Sequence, residues 1–333
     1  MYNIFMKTLP TSLRIGVVRG GPSLEYDVSL KTGANVLKHL SETHTPIDIF
    51  ISKDGKWHVN GVEKTPERIL KNVDVVFNAL HGAYGEDGGV QEVLNHLGVP
   101  YTGSGRFESA VAMNKWVTKE MAQEVGIKTP IGMLVRQTDS LSQKAKEIFL
   151  AMPHPLIVKP RDSGSSIGLK KVDSYSELLS ALEEVLSEHK AAVVEEYIVG
   201  KEATCGVIDN FRGKQIYTLP PLEIVPPTGK LFDYDSKYDG SSKEICPGNF
   251  TAEEKKTIEK FSALIHKRLG LSHYSRSDFI VSPRRGVYFL EVNTLPGLTS
   301  ESLLSKSLEA VGVSVKDFLQ HTLHMAHKTG AWI

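Results

Sequence analysis

The sequence predicts a multidomain α/β protein, and three observations support that fold class. The chain has 333 residues, which is more than one typical domain needs. Its hydrophobic residues (41%) and charged residues (23%) occur in the proportions of an ordinary globular protein. Over roughly the first hundred residues, apolar strand-like runs alternate with helix-like segments, which favours a parallel sheet flanked by helices.

The first predicted strand is the run LRIGVVRGG, which ends in Gly20 and Gly21. The next segment has a broadly helical spacing of apolar residues: Val28, Ala34, Leu37 and Leu40. IDIFIS and VDVVFNALHG are candidate buried strands, and GGVQEVLNHLG is a short helix closed by Gly98. Because ligands collect where loops leave the carboxyl ends of strands, we expect a site near Gly20 and His81.

The middle of the chain predicts a second α/β unit. GRFESAVAMNKWVTKEMAQEVGI is expected to form one long helix, and we place a domain boundary just before it, near residue 104. YSELLSALEEVLSEHKAAVVEEYIVG reads as a helix, a strand and a glycine turn, so a second boundary is expected near residue 198.

A glycine- and serine-rich loop follows Lys159 in HPLIVKPRDSGSSIGLKKV. The lysine precedes the glycines, so the motif is not a P-loop, and SIGLKKV predicts a second strand of a hairpin. Backbone N–H groups and hydroxyls in such a loop can wrap an anion. The alternative is a solvated hairpin tip, because Gly and Ser are ordinary turn residues.

The last part predicts strands KEATCGVID and KQIYTLPPLEIV, and then a long irregular segment over residues 226–250. Loops of that length are usually lids or binding loops, or else disordered. TAEEKKTIEKFSALIHKRLG is a helix that begins with the capping box of Thr251 and Glu254 and ends at Gly270.

Two adjacent strands in YSRSDFIVSPRRGVYFLEVNTLPG would place Asp278 beside Glu291, with Asn293 on the same face as Glu291. These hard oxygen donors suit Mg²⁺ that bridges nucleotide phosphates. The alternative is an exposed polar face, but the acids lie in otherwise apolar strands. Arg276 and the backbone N–H of Gly297 could stabilise a developing oxyanion.

Composition excludes several classes of function. Lys plus Arg and Asp plus Glu both total 39, so no net charge attracts nucleic acid or an anionic membrane. No run reaches roughly 18 continuous apolar residues, and the N-terminus is a poor signal peptide. Only Cys205 and Cys246 occur, without the spacing of a zinc site or a disulfide framework. We therefore expect a cytoplasmic protein with a small-molecule substrate.

The chain resembles the D-alanine:D-alanine ligases of the ATP-grasp superfamily. The resemblance rests, in chain order, on GGPSLEYDVSL, ALHGAYGEDGGVQ, PYTGSG, KPRDSGSSIG, DYDSKY, RSDF and LEVNTLPGLTSESL. It implies an N-terminal parallel α/β substrate-binding (pre-ATP-grasp) domain over residues 1–104 and a central ATP-grasp domain over residues 105–197 that carries the phosphate loop. It also implies a C-terminal ATP-grasp domain over residues 198–333 that carries the metal ligands and a lid over residues 226–250.

The resemblance assigns the nucleotide site. Lys115 and Lys159 match lysines that contact phosphates, and Glu202 matches the acid that holds the ribose hydroxyls. The other implied nucleotide contacts are Ser166, Glu195, Glu196, Tyr197 and Ile198. Where Glu196 stands, many members of the family carry lysine. Two Mg²⁺ ions, for which Mn²⁺ can substitute, are implied at Asp278, Glu291 and Asn293. From the residues alone, either lysine could be an exposed surface charge, and for Lys115 that interpretation is favoured.

The resemblance also assigns the amino-acid site. Glu25 matches the acid that binds the ammonium of the first D-alanine, in a triad with Ser165 and Tyr238, and His81 lies near that substrate's carboxylate. Arg276 and the Gly297 amide correspond to the oxyanion hole. The second substrate's site is implied at Ser302, Leu303 and Lys237. On residues alone, Glu25 is also explained as a helix N-terminal acid and His81 as a structural histidine.

The implied activity is ATP-dependent ligation of two D-alanine molecules through a D-alanyl phosphate, with ADP and phosphate released, for peptidoglycan synthesis. The family also implies a homodimer. One alternative is a ligase that accepts D-lactate as the second substrate; Tyr238 favours the dipeptide. A non-catalytic nucleotide-binding protein on the same scaffold is a weaker alternative, because it predicts an incomplete set of metal and phosphate ligands.

Overall fold

The computed structural model describes residues 12–164, 168–226 and 242–329. Four predicted site residues lie outside these ranges: Ser165, Ser166, Lys237 and Tyr238. Of the expected lid over residues 226–250, only residue 226 and residues 242–250 are described.

The first sheet has the strand order β4-β3-β2-β1-β5. Its elements are β1 (Arg14–Gly20), α1 (Tyr26–Leu40), β2 (Thr45–Ile51), β3 (Trp57–Val59), β4 (Val62–Glu63), α2 (Pro66–Leu70), β5 (Val75–Asn78) and α3 (Gly89–His96). Strand β1 is parallel to β2 and β5, whereas β2, β3 and β4 pair antiparallel. The prediction of a parallel sheet is therefore correct at the centre and wrong at one edge, where short turns return the chain as hairpins.

Helix α1 buries only part of the apolar set named from the sequence: Leu40 is buried and Leu37 packs against the core. Ala34 is exposed, whereas the small residues Ser29, Thr32 and Gly33 are buried. The Ser29 hydroxyl accepts the Gly20 N–H at 2.8 Å and donates to the Ala79 carbonyl at 2.8 Å. Small residues therefore let α1 approach the ends of β1 and β5 closely, and apolar spacing does not report such an approach.

The second sheet is antiparallel, with the order β6-β9-β7-β8. Its segment contains α4 (Arg106–Met113), α5 (Lys115–Glu124), β6 (Gly132–Arg136), α6 (Leu141–Ala151), β7 (Leu156–Pro160), β8 (Lys170–Val172), α7 (Tyr175–Glu188) and β9 (Ala191–Glu196). The predicted hairpin of β7 and β8 around the Gly/Ser loop is confirmed.

The prediction of one long helix after residue 104 is wrong, because the chain breaks at Asn114. Asn114 has an extended backbone, and its side chain accepts the Val117 N–H at 3.2 Å as the N-cap of α5. The break places Lys115 in the first turn of a new helix.

The third sheet has the order β13-β12-β10-β14-β15, with β11 paired to β10. Its segment contains β10 (Lys201–Phe211), β11 (Lys214–Thr218), β12 (Leu222–Val225), β13 (Lys243–Ile245), α8 (Ala252–Arg268), β14 (Tyr274–Ser282), β15 (Gly286–Asn293), α9 (Leu303–Glu309) and α10 (Val315–Thr329). KQIYTLPPLEIV forms two strands rather than one. In β14 and β15, Asp278 pairs with Glu291, as predicted.

One hydrophobic core joins the first sheet to the third. Val17 and Phe77 from the first sheet pack in the same cluster as Tyr274 of β14 and Phe318 of α10. Helix α10 contacts both α1 and β5. The ends of β1 and β5 are thereby fixed relative to β14 and β15. Residues predicted for the site, such as His81 and Asp278, lie on these two parts of the chain. Within the described ranges, no helix has the length and apolar character needed to cross a membrane.

The capping box of α8 provides a test of the local energetics. Thr251→Ala removes the hydroxyl that accepts the Glu254 N–H at 3.2 Å, and we expect the free energy of unfolding to fall by about 1 kcal/mol. Thr257→Ala lies in the same helix and removes no cap, so it should change stability by less than about 0.5 kcal/mol. Urea unfolding of both variants checks this, and equal losses would contradict the role of the cap.

Candidate functional site

A cavity lies between the second and third sheets. It is lined by residues of both sheets and of α5, including Lys115, Lys159, Glu195, Ile198, Glu202, Asp278, Glu291 and Leu303. Apolar walls come from Ile157, Leu169, Ala203, Ile224, Phe279 and Leu290. An apolar slot with charged groups at one side suits a ligand that carries a flat base and an anion.

Two lysines converge on one buried carboxylate beside this cavity. Glu195 of β9 accepts a hydrogen bond from Lys119 at one oxygen, and its other oxygen lies 2.9 Å from the Lys159 ammonium. The three side chains are almost fully buried. A buried charge is tolerated when it is paired and hydrogen-bonded, so the elements α5, β7 and β9 must meet here.

The two lysines differ in how they hold their protons. Burial and the neighbouring Lys159 ammonium lower the pKa of Lys119 to about 7, against the attraction of Glu195. Burial also opposes the charge of Lys159, but its attraction to Glu195 and Glu291 outweighs burial and raises its pKa. Burial alone would raise the pKa of Glu195, but the two lysines lower it below its usual value. Lys159 therefore keeps its positive charge where it faces the cavity.

A second lysine–carboxylate contact lies further along the cavity. The Lys115 ammonium is 3.2 Å from Glu291 of β15 and donates to the Ser163 carbonyl at the start of the Gly/Ser loop. Lys115 therefore connects α5, β15 and the Gly/Ser loop. Its burial contradicts the reading of Lys115 as a surface charge.

Asp278 lies at the centre of a polar cluster on β14. It accepts hydrogen bonds from Thr204 at 2.6 Å, from Asn293 at 3.0 Å and from the Arg276 guanidinium at 2.9 and 3.0 Å. The side chain of Glu291 on the paired strand is 20% exposed, and both acids line the cavity. The predicted set of Asp278, Glu291 and Asn293 is thus brought together.

This donor set fits Mg²⁺. Two carboxylates and an amide are hard oxygen ligands, and Mg²⁺ in proteins is usually held by one or two carboxylates and substrate phosphates. Among the described residues, no cluster of three or more His, Cys, Asp or Glu side chains has the arrangement of a metal site. Mg²⁺ prefers six ligands in an octahedron, so substrate oxygens and water would complete the coordination of an ion held by these three groups.

The stretch from Glu195 to Ile198 lines the cavity. The N–H groups of Glu196 and Tyr197 donate to the carbonyls of Ile131 and Pro155 at 2.9 Å, so neither donates to a ligand. The Glu196 carboxylate accepts from Arg285 at 2.6 and 2.9 Å and from the Ile131 N–H at 3.1 Å. Glu196 is thus paired with an arginine of the β14–β15 turn.

Glu25 lies between the first sheet and the Gly/Ser loop, close to Gly82 and Gly164. Its backbone begins α1, but its carboxylate makes no capping hydrogen bond and is buried. A Cβ at Gly82 would lie 2.7 Å from the Glu25 Oε2 atom, and a Cβ at Gly164 would also meet that atom. The backbone at Gly82 and Gly164 therefore approaches the Glu25 carboxylate closely. Glu25 also stands at the N-cap position of α1, as its interpretation as a helix N-terminal acid predicts.

His81 is buried beside this carboxylate and pairs with the Thr32 hydroxyl at 2.9 Å. Burial lowers its pKa, against the attraction of Glu25, so the imidazole is neutral at physiological pH. A neutral imidazole can accept or donate one hydrogen bond to a carboxyl group.

The segment after β15 lies close to the start of α9. A Cβ at Gly297 would lie 2.8 Å from the Ser302 hydroxyl oxygen, so backbone and hydroxyl are adjacent. The Ser302 oxygen accepts the Thr299 N–H at 3.0 Å, and Leu303 lines the cavity. These three predicted residues are therefore at one edge of the site.

Lys119 is the main member of the site that the sequence prediction missed. It follows Lys115 by four residues on α5, and residues four apart share a helix face. That spacing was a usable signal, because one longer helix through this region would also place the two lysines on the same face.

The chain is similar to known proteins over nearly its whole described length. A family model described as "D-ala D-ala ligase C-terminus" matches residues 121–324, and "D-ala D-ala ligase N-terminus" matches residues 14–70 and 61–104. The chain is 36% identical to a D-alanine–D-alanine ligase of Pelotomaculum thermopropionicum over 95% of its length and 97% of the relative.

Two solved structures share the architecture. The D-alanine–D-alanine ligase of Bacillus anthracis, solved in complex with ATP, has a TM-score of 0.79 and 31% identity, covering 96% of this chain and 99% of that one. The VanG D-Ala:D-Ser ligase of Enterococcus faecalis has a TM-score of 0.81 and 30% identity, covering 95% and 99%.

The buried network makes a prediction about stability. Glu195→Gln leaves two buried ammonium groups without their shared counter-charge, and we expect the free energy of unfolding to fall by about 3–5 kcal/mol. Glu196→Gln is the matched control: its partner Arg285 is 45% exposed, so solvent screens the loss and the effect is smaller. Urea unfolding measures both, and a loss for Glu195→Gln no larger than for Glu196→Gln would contradict the network.

Proposed function

The chain belongs to the D-alanine:D-alanine ligase family, and we propose that it joins two D-alanine molecules at the expense of ATP. In this reaction a D-alanyl phosphate forms and then reacts with the second D-alanine, so that ADP and phosphate are released. One observation carries the proposal: the cavity with Lys159, Asp278 and Glu291 lies next to a buried carboxylate, Glu25, across the Gly/Ser loop. A phosphate site and an ammonium site are thus adjacent.

The nucleotide end needs positioning and charge neutralisation more than a protein nucleophile. Lys115 and Lys159 supply two ammonium groups, which are held in place by Glu291 and Glu195 respectively. Mg²⁺ held by Asp278, Glu291 and Asn293 would neutralise phosphate charge when bound, and Mn²⁺ has compatible ligand preferences. Glu202, which also lines the cavity, is the proposed partner of the ribose hydroxyls.

The amino-acid end orients the first substrate. The Glu25 carboxylate pairs with the D-alanine ammonium, and neutral His81 lies beside the substrate carboxylate. That carboxylate then attacks the γ-phosphorus, the bond to the β,γ-bridging oxygen breaks, and ADP leaves. Ser165, Ser166 and Tyr238 are proposed contacts in this step that lie outside the described residues.

The second step forms the peptide bond. The amine of the second D-alanine attacks the acyl carbon, loses a proton, and inorganic phosphate leaves with the C–O bond electrons. Arg276 and the Gly297 N–H are the proposed donors to the oxyanion. Preorganised donors stabilise the negative charge that develops there in the transition state. Ser302, Leu303 and Lys237, the last also outside the described residues, form the proposed site for the second carboxylate. Residues 226–250 are the proposed lid, since an acyl phosphate must be kept from water.

The VanG relative is a D-Ala:D-Ser ligase, so similar chains differ in the second substrate that they use. D-Serine and D-lactate are therefore the acceptors to test beside D-alanine. We further propose a cytoplasmic homodimer that supplies the dipeptide for peptidoglycan, with the three domains bounded near residues 104 and 198.

The direct test is phosphate release from purified protein with ATP, Mg²⁺ and D-alanine. We expect release that depends on D-alanine but not on L-alanine, together with the mass of the D-alanyl-D-alanine dipeptide. Parallel reactions with D-serine or D-lactate as acceptor define the second substrate. Release without dipeptide, or no dependence on D-alanine, would contradict the proposal.

Lys159→Met tests the phosphate contact. The variant removes a hydrogen bond to a charged group, and we expect the KM for ATP to rise about 10- to 100-fold, equivalent to about 1.5–3 kcal/mol. Lys146→Met, at an exposed position on α6, is the control and should leave steady-state kinetics unchanged. An unchanged KM for ATP in Lys159→Met would remove this lysine from the nucleotide site.

A further inference from the structure

The backbone that carries Gly297 is held from both sides by residues of the first hundred. We use the name Gly297 segment for residues 294–298, which follow β15. Glu86, in the loop before α3, accepts the Leu295 N–H at 3.0 Å. Asn35, on α1, donates to the Leu298 carbonyl at 2.5 Å. The two contacts lie on either side of Gly297 in sequence.

Glu86 connects the Gly297 segment to the loop that carries His81. Its second carboxylate oxygen accepts the Gly82 N–H at 2.8 Å, and Glu86 is buried. The Glu86 carboxylate thus joins the Gly297 segment to the 81–86 loop through one backbone N–H on each side.

The side chains of this segment leave it little freedom. Leu295 and Leu298 are buried in the core shared by the first and third sheets, whereas Gly297 between them is partly exposed. Exposure of a single backbone position between two anchored ones is the arrangement expected where a backbone N–H meets a ligand. A displacement of about 1 Å at a reacting centre can cost on the order of 10²-fold in rate.

We propose that Glu86 and Asn35 are positioning residues that aim the Gly297 N–H at the reacting carbonyl. This inference rests on the proposed function. Neither residue touches the substrate; both act through the Gly297 segment. Burial and the charge of Glu25 raise the pKa of Glu86 to about 7, although the two N–H donors partly counteract the rise. Glu86 is buried beside Glu25, which is unfavourable for a carboxylate. Its hydrogen bonds to two backbone N–H groups explain why an acid stands there.

The variants Glu86→Gln and Asn35→Ala test the proposal. A glutamine presents one oxygen and one NH₂ group, so it cannot accept from both Gly82 and Leu295. We expect kcat to fall on the order of 10²-fold in Glu86→Gln and somewhat less in Asn35→Ala, with KM for ATP unchanged. Because both residues hold one segment, the double variant should lose less than the product of the two effects.

Gln320→Ala is the matched control, since it breaks a contact between the same two parts of the chain away from the site. Gln320 of α10 donates to the Thr43 hydroxyl at 2.9 Å. We expect it to leave kcat unchanged. If Glu86→Gln and Asn35→Ala raise KM for ATP as much as they lower kcat, or change neither, the positioning role is wrong.

Hydrogen exchange supplies a readout that does not depend on ligase activity. In Glu86→Gln and Asn35→Ala, peptides covering the Gly297 segment should exchange faster than in the wild type, while β10 and β14 remain protected. Faster exchange throughout the chain, or none in the segment, would overturn the proposal. If the wild type forms no dipeptide, the proposed function fails by itself, and the exchange pattern still decides whether the two residues hold the segment.

Discussion

The interaction on which the rest of the site depends is the pairing of three lysines with two acids, one of them buried and the other partly buried. Glu195 is paired with Lys119 and Lys159, and Glu291 with Lys115. These five side chains come from α5, β7, β9 and β15, so no element can shift without leaving a buried charge unpaired. The free-energy cost of an unpaired buried charge is large, which makes the relative position of the two sheets specific. The cavity between those sheets is a consequence of this constraint.

A second constraint is the space around Glu25. Gly82 and Gly164 have no Cβ where one would meet its carboxylate, so two loops from different parts of the chain can close on it. The first sheet brings Gly82, and the β7–β8 hairpin brings Gly164. The shared core of Val17, Phe77 and Phe318 then keeps the first sheet against the third. Packing far from the cavity thereby sets the distance between the two ends of the site.

Much of this arrangement was predictable from the sequence because it is local. The pairing of Asp278 with Glu291 follows from two strands and a short turn, and the capping box of α8 follows from Thr251 and Glu254. The break at Asn114 was not predicted, because an apolar helical pattern continues through it. The partner of Glu196 could not be predicted either, since Arg285 is distant in sequence and only the packing of β9 against the β14–β15 turn unites them.

The central claim is that one continuous site binds the nucleotide between the second and third sheets and the amino acid at Glu25. A crystal structure of the protein with a non-hydrolysable ATP analogue, Mg²⁺ and D-alanine tests it most directly. The account predicts phosphates within hydrogen-bond distance of the Lys115 and Lys159 ammonium groups, a metal ion at Asp278 and Glu291, and the D-alanine ammonium at Glu25. A nucleotide bound outside this cavity, or an amino acid bound away from Glu25, would contradict it.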